Sequence, residues 1–174
     1  DEYWPSRSSY FGICDLAGLP KDRYFLYRSH WNKEEHTIHL LPHWSFGSNR
    51  VGKVTPVYCY TDYPTAELFV NGKSQGKITK NPASRLDRYR LRWNNVKYQP
   101  GVIKVVVYDA DGGYAGEKSI RTAGKPAKLQ LDAWTQHDEL KLNADGDDLA
   151  FVTVSLTDAK GTLIPQASDQ LQFE

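Results

Sequence analysis

Histidines crowd one stretch of this sequence, and histidine is a common side-chain ligand of metals. His36, His39 and His43 follow one another closely, with His30 upstream. On a strand, His39 and His43 would lie on the same face as Leu41, because successive side chains alternate between faces. The stretch offers no nearby cysteine or carboxylate pair with the spacing of zinc ligands. We therefore expect polar and packing histidines and no metal site.

An acidic run at residues 143–148 resembles the start of an oxygen-rich calcium loop. Such a loop ends on a bidentate glutamate at its twelfth position. That position falls at Val154, which cannot ligate a cation. Asn, Asp and Gly are also the residues that favour tight turns. The run therefore predicts a polar turn between two strands.

The arginines Arg85, Arg88, Arg90 and Arg92 form the one basic cluster, and Asp87 interrupts it. The whole chain carries 22 Lys+Arg against 21 Asp+Glu, a net charge of +1. Nucleic-acid binding draws on a positive balance that this chain lacks. We expect no nucleic-acid partner and a solvated strand face, with a sugar or an interdomain carboxylate as the alternative ligand of the cluster.

The sequence shows none of the motifs or carboxylate pairs that hydrolytic enzymes use. There is no Gly-x-Ser-x-Gly turn and no glycine-rich phosphate loop, and nothing indicates a cofactor. Cleavage of a glycosidic bond takes two carboxylates that flank the bond. Most of the glutamates fall in predicted turns, on solvent-facing strand positions or at the chain ends: Glu2, Glu34, Glu35, Glu67, Glu117, Glu139 and Glu174. The residues alone therefore predict no catalytic centre.

One helix is predicted before the strands begin. Pro20 suits the first turn of a helix, where its missing N–H is not needed. Tyr24, Tyr27 and Trp31 then fall at helical spacing, and the pattern ends near Asn32. A helix of about a dozen residues is marginal in isolation and needs a surface to pack on.

Strand signals replace the helical period from Ile38 onward. Asn71-Gly72 supplies the two positive-φ residues of a type I′ hairpin turn. About seven strands in some 85 residues match the count and spacing of an immunoglobulin-like sandwich. The predicted strands are 38–41, 54–61, 67–70, 74–80, 88–93, 102–108 and 114–121.

A second strand series follows the predicted linker Gly124-Lys125-Pro126. Its candidates are 127–131, 139–142, 149–157 and 170–173. In the longest, alternate positions form a wholly apolar face that we expect to lie in a core: Ala150, Val152, Val154 and Leu156. A sandwich of this kind takes about 100 residues, so this series predicts an incomplete domain.

Composition sets further bounds. A charged fraction of 25% and an aromatic fraction of 13% indicate a folded chain and not a disordered one. No apolar run approaches the roughly 20 residues that span a bilayer.

The two cysteines, Cys14 and Cys59, lie in different predicted units, so we expect free thiols and no bridge. The sequence has no methionine and opens on Asp1, so we expect a processed product or a piece of a longer chain.

The opening stretch carries a family resemblance. Residues 4–22, WPSRSSYFGICDLAGLPKD, resemble the end of the catalytic (β/α)₈ barrel of glycoside hydrolase family 2 β-galactosidases, and the helix at 23–31 continues the match. Residues 38–44 resemble the entry into the sandwich that follows in that family. Residues 67–74 resemble a hairpin of that sandwich, and residues 144–149 with 152–154 resemble the start of a further bacterial immunoglobulin-like domain.

The resemblance implies a mainly β chain with three parts. Residues 1–36 would be the C-terminal remnant of the barrel, a loop and its last helix. Residues 37–123 would be an immunoglobulin-like β-sandwich, and residues 124–174 a truncated second immunoglobulin-like unit.

The resemblance also implies where the chemistry lies. The family hydrolyses terminal β-galactosides with retention, using an acid/base glutamate and a nucleophilic glutamate on barrel strands that precede Asp1. No glutamate of this chain can inherit either role. Tyr3 and Trp4 would lie on the loop after the eighth strand and border the sugar site, since aromatic rings pack on sugar faces. The alternative is that they plug the barrel mouth or pack on a neighbouring domain.

We therefore expect an inactive accessory region whose partners are the rest of the barrel and the carbohydrate substrate of the parent enzyme. Exposed helix and strand edges would also allow self-association. The family suggests a periplasmic or cell-surface location. Two alternatives stay open: a carbohydrate-binding module whose platform is formed by exposed aromatic residues such as Trp44, Trp93 or Trp134, or a cell-surface spacer.

Overall fold

A computed structural model describes residues 11–15, 18–135, 143 and 145–172 of the chain. The chain divides into two compact units, Asp1–Arg121 and Thr122–Glu174. The first unit contains the helix and the seven-strand pattern predicted from the sequence. The second contains two of the later strands.

Helix α1 spans Asp22–Trp31, close to the predicted bounds. Asp22 lies in its first turn, whereas Arg28 and His30 lie in the last, which complements the helix dipole. Ser29 is buried, and its hydroxyl donates to the Leu26 carbonyl at 2.7 Å. The helix packs on the first two strands of the sandwich, which give it the surface that so short a helix needs.

The first unit is a sandwich of two antiparallel sheets. A three-stranded sheet has the order β1-β2-β5, and a four-stranded sheet has the order β4-β3-β6-β7. This division of strands is typical of an immunoglobulin-like fold, so the predicted β-sandwich is confirmed. The bounds are β1 Ile38–Leu41, β2 Val57–Thr61, β3 Thr65–Val70, β4 Lys73–Thr79, β5 Leu91–Trp93, β6 Val102–Tyr108 and β7 Tyr114–Arg121.

The hairpin between β3 and β4 turns as predicted. Asn71 and Gly72 have φ angles of 49° and 80°. The Asn71 side chain also ties the turn to β6, because its Oδ1 accepts the Val102 N–H at 2.8 Å and its Nδ2 donates to the Pro100 carbonyl at 3.0 Å. A Cβ at Gly101 would lie 2.0 Å from Asn71 Oδ1. Only glycine therefore fits beside this amide.

The core lies between the two sheets and follows the alternation of the strands. On β3, alternate side chains Ala66, Leu68 and Val70 are buried, and β6 buries Ile103, Val105 and Val107 against them. The three-stranded sheet and its flanking segments complete the core with Leu40, Trp44, Val57, Cys59, Leu91, Trp93, Val96 and Tyr98.

Two strands start later than the sequence pattern predicts. Strand β2 begins at Val57 and not at Val54, because Pro56 has no N–H to add to a ladder. Strand β5 begins at Leu91 and not at Arg88. The segment before it is held in turns by side chains, since Ser84 Oγ accepts the Asp87 N–H and donates to the Asp87 carboxylate. Such local bonds compete with a strand ladder.

The described residues of the second unit form a two-stranded antiparallel ribbon, β8 Pro126–Thr135 and β9 Ala150–Asp158. Strand β8 is longer than the predicted 127–131. Among the described residues, the apolar face of β9 does not lie in a core: Val152 is 52% exposed and is paired with Ala133 of β8. Residues 170–172 form no strand, and 139–142 and Phe173 lie outside the described residues.

One corner of the second unit is well packed. The carboxylate of Asp158 accepts the N–H groups of Gly124, Lys160 and Thr162 at 2.8 to 2.9 Å. These bonds lower the pKa of Asp158, those from Gly124 and Thr162 most. They hold the predicted turn at residues 158–161 and the start of the unit together.

Candidate functional site

The two residues predicted to border a sugar site, Tyr3 and Trp4, lie outside the described residues. Their position beside a barrel mouth stays a prediction. The described side chains that could form a site lie on the sandwich, the helix and the ribbon.

Three of the four described glutamates make polar side-chain contacts in the first unit. Glu35 pairs with Arg28, and Glu117 pairs with Lys104 at 3.3 Å. Glu67 accepts hydrogen bonds from the Ser74 and Tyr108 hydroxyls. The fourth, Glu34, is exposed, whereas Glu2, Glu139 and Glu174 were assigned to turns or chain ends and lie outside the described residues.

The predicted histidine cluster is distributed over separate contacts. His36 pairs with Asp62, whose other oxygen accepts the Thr37 N–H at 2.8 Å. Burial acts to raise the pKa of Asp62, but the hydrogen bonds from His36 and Thr37 outweigh it and leave the pKa lowered. Asp62 thus ties the segment before β1 to the end of β2.

His39 joins the helix to the sandwich. Its Nε2 donates to Asp22 Oδ1 at 2.7 Å, and its ring stacks on Phe25 with centroids 4.0 Å apart. The hydrogen bond from His39 lowers the pKa of Asp22. His43 instead packs beside Phe46, with ring centroids 4.4 Å apart, and burial lowers its pKa.

Among the residues that the structure describes, no group of three or more His, Cys, Asp or Glu side chains is placed to hold a metal ion. In the acidic run, Asp145 Oδ1 accepts the N–H groups of Asp147 and Asp148 at 2.9 and 3.0 Å. This is the polar turn that the sequence predicted. No described helix is long and apolar enough to cross a membrane.

Two of the three tryptophans considered for a carbohydrate-binding platform are not on the surface. Trp44 and Trp93 are 0% and 6% exposed, and their indole N–H groups donate to the carbonyls of Gln99 and Gly76 at 2.8 and 2.9 Å. Both rings belong to the sandwich core. Trp134 alone of the three is exposed, and it stacks on Phe151 of the ribbon.

Three members of the arginine cluster, Arg85, Arg88 and Arg90, precede β5, and Arg92 lies within it. Arg92 holds the Asp87 carboxylate with two nitrogens, at 2.5 and 3.1 Å. Arg88 lies over the Tyr89 ring, and Arg90 lies over the Tyr58 ring at 5.3 Å. The strand predicted over these residues is therefore mostly a loop at the edge of the sheet. Arg92 is ion-paired, and Arg88 and Arg90 pack on aromatic rings.

A concave site opens where this edge meets the helix. We call it the helix cleft, and its volume is about 470 Å³. The helix contributes one stripe of side chains, Arg23, Leu26, Tyr27, His30 and Trp31. The sandwich contributes Tyr60, Tyr89 and Arg90. A volume in this range is typical of ligand sites.

Both walls of the helix cleft are fixed. His30 Nε2 donates to the Tyr89 carbonyl at 3.0 Å, and the two rings meet edge to face. The Tyr27 and Trp31 rings stack at 4.7 Å, and Trp31 is 72% exposed. The cleft thus presents an aromatic surface to solvent from a wall that is held in place.

Sequence reasoning missed this cleft. Tyr27 and Trp31 were assigned to the packing face of a helix, and Arg90 to a solvated strand. The i, i+4 spacing of Tyr27 and Trp31 was the available signal. The residues opposite them are more than 28 positions away along the chain, so only the fold brings the two walls together.

Comparison with known families matches two parts of the chain. A model described as "Domain of unknown function (DUF4982)" matches residues 52–114. A model described as "Glycoside hydrolase family 2 C-terminal domain 5" matches residues 134–174. The first falls in the sandwich, and the second covers most of the ribbon unit.

Individual proteins match nearly the whole chain. "Beta-galactosidase BoGH2A" of Bacteroides ovatus is 46% identical over 98% of this chain and 18% of its own length. A "Putative beta-glucuronidase" of Formosa agariphila is 34% identical over 93% of this chain and 15% of its own. The crystal structure of a beta-glycosidase from Bacteroides vulgatus superimposes with a TM-score of 0.78 at 33% identity, over 95% of this chain and 20% of that one.

The predicted resemblance to the C-terminal region of glycoside hydrolase family 2 proteins is therefore confirmed. The chain spans about a fifth or less of the length of these relatives. The relatives include both galactosidases and glucuronidases by name.

Proposed function

We propose that this chain is a non-catalytic accessory region of a family 2 glycoside hydrolase. In the parent protein, a retaining mechanism would hydrolyse terminal β-galactosides with two glutamates that lie outside this chain. The chain would brace the catalytic domain and shape access to it. The 46% identity to a β-galactosidase over 98% of this chain supports the choice of substrate.

The observation that carries this proposal is the set of contacts that the described glutamate carboxylates make. A retaining glycosidase keeps its two carboxyl groups about 5 Å apart, facing a sugar-sized cleft. Here Glu35 and Glu117 pair with basic side chains. Glu67, on a strand, accepts hydrogen bonds from two hydroxyl groups. None of these three lines the helix cleft.

A bracing role is supported by the way the helix is attached. Asp22, Phe25 and His30 each contact the sandwich through a hydrogen bond or a ring contact. If α1 ends a catalytic barrel in the parent, these contacts fasten the barrel to the sandwich. The accessory region would then act by positioning and not by chemistry.

The purified 174-residue chain should be assayed on p-nitrophenyl β-galactoside. We expect no turnover above buffer. Turnover that Glu67→Gln or Glu117→Gln abolishes would overturn the proposal, because catalysis would then depend on this chain's own carboxylates.

β-Glucuronides are the second candidate substrate of the parent protein. The 34% identity to a putative β-glucuronidase over 93% of this chain favours this alternative. Assaying the parent-length protein on p-nitrophenyl galactoside and glucuronide in parallel separates the two. A ratio of kcat/KM that favours the glucuronide would replace the galactoside in the proposal.

A further inference from the structure

We propose that the helix cleft binds an acidic sugar, a hexuronate residue of an oligosaccharide. The proposal concerns the cleft between α1 and the β5 edge of the sandwich and does not depend on where the parent's catalytic residues lie. It joins two features of the cleft, an exposed aromatic surface and a lining that contains two arginines and no carboxylate.

The aromatic surface fits a pyranose ring. The Trp31 indole lines the cleft, is 72% exposed and stacks on Tyr27. Aromatic side chains combine an apolar face with a polar tip, and the apolar C–H face of a sugar packs on such a ring. Tyr89 is 44% exposed on the opposite wall. Its hydroxyl both donates and accepts, as sugar hydroxyls require.

The charge of the cleft fits a carboxylate. Arg23 and Arg90 line it together with His30, and no Asp or Glu is among its lining residues. Within the described part of the chain, Arg23 takes part in no ion pair. The guanidinium of Arg90 lies over the Tyr58 ring, and its buried Nε donates to none of the described residues.

Asp87 interacts with Arg90 through their charges, but its carboxylate is held by another side chain. Asp87 is held by two nitrogens of Arg92, and this bond is the largest cause that lowers the Asp87 pKa. Among the described residues, the Arg90 Nε therefore has no hydrogen-bond acceptor, and a ligand carboxylate could supply one. Guanidinium groups bind carboxylates through paired, charge-assisted hydrogen bonds, and such bonds are strongest in a partly desolvated cleft.

The probe pair is methyl β-D-glucuronide and methyl β-D-glucoside, which differ at C6 in a carboxylate against a hydroxymethyl group. Binding to the 174-residue chain is measured by saturation-transfer NMR and by quenching of tryptophan fluorescence. We expect the glucuronide to bind about tenfold or more tightly than the glucoside, since a hydrogen bond to a charged group adds about 1.5–3 kcal/mol.

Matched variants locate the site. Trp31→Ala and Arg23→Gln alter exposed cleft residues and should each weaken glucuronide binding by about fivefold or more. Trp134→Ala and Arg85→Gln remove an exposed tryptophan and an exposed arginine outside the cleft, and should leave binding unchanged. Arg90→Gln should abolish the preference for the glucuronide. If loss of the Tyr58 contact unfolds that variant, the Arg23 and Trp31 variants still test whether the sugar binds in the helix cleft.

Several results would overturn the proposal. Equal binding of glucuronide and glucoside would leave a neutral-sugar site, and no binding of either sugar up to tens of millimolar would leave no sugar site. Binding of tetraglutamate, with neither sugar bound, would assign the cleft to an acidic peptide. Loss of binding in Trp134→Ala, with Trp31→Ala unaffected, would place the sugar on the ribbon.

Discussion

Leu68 in the first unit and Leu131 in the second both lie on antiparallel strands, yet Leu68 is 0% exposed and Leu131 is 63% exposed. Strand β3 has a second sheet against its apolar face, whereas the described part of the ribbon has no such layer. An alternating pattern specifies which side chains share a face. Whether that face becomes a core depends on a second layer, which the pattern does not provide.

Thiol reactivity should show the largest contrast between covered and uncovered positions. Cys59 lies in the sandwich core, where burial raises its pKa to about 12, and Cys14 is partly exposed. Because the thiolate is the nucleophile, we expect a disulfide reagent at pH 8 to label Cys14 about a thousandfold or more faster than Cys59. Labelling in urea, where both react alike, is the control. Equal rates without urea would mean that the sandwich core opens readily.

Truncating the two leucines should separate the covered and uncovered faces energetically. We expect Leu68→Ala to lower the free energy of unfolding by about 2–5 kcal/mol, because it leaves a cavity. Leu131→Ala should cost less than about 1 kcal/mol, since it removes only a cross-strand contact. Urea titrations followed by circular dichroism measure both changes. Similar losses would contradict the exposure of the ribbon face and indicate that something covers it in solution.

The stability of the ribbon unit should depend more on the hydrogen bonds to Asp158 than on its apolar face. Asp158→Ala removes an acceptor for three backbone N–H groups, so we expect faster hydrogen exchange at Gly124 and Thr162. Asp169→Ala, at an exposed position, is the matched control and should leave exchange unchanged. Unaltered exchange in Asp158→Ala would show that the corner is held by other contacts.

The smallest effect concerns the acid stability of the first unit. Its Asp62 has a lowered pKa in the folded state, below the unfolded value of about 3.9. The stabilisation is therefore complete above that value and is lost as the pH falls through the folded-state pKa. We expect Asp62→Asn to flatten the decline in stability below about pH 4, as measured by thermal unfolding. Asp111→Asn, on an exposed turn, should not change the slope.

Local patterns predicted the elements whose causes are local. The Asn71-Gly72 turn, the β-branched run of β6 and the helix at Asp22–Trp31 all follow from neighbouring residues. Strand β5 was predicted too long because the alternation at Arg88 to Trp93 concealed a turn that Ser84 and Asp87 hold. Side-chain to backbone bonds of that kind leave no periodic signal.

The candidate sites, like the strands, could be predicted only where their causes are local in the sequence. The alternative of a carbohydrate-binding module relied on exposed aromatic residues such as Trp44 and Trp93, but both are buried. Large aromatic residues serve cores and binding sites alike, so type alone does not separate the two. The helix cleft was out of reach because Trp31 and Arg90 meet only in the folded chain.

The central claim is that the carboxylates of this chain do not perform catalysis. A retaining glycosidase forms a covalent glycosyl–enzyme, which a 2-deoxy-2-fluoro-β-galactoside with a good leaving group traps for intact-mass measurement. The account predicts that the 174-residue chain keeps its mass after prolonged incubation, whereas the parent-length protein gains one fluorosugar. A fluorosugar bound to any glutamate of the 174-residue chain would contradict it.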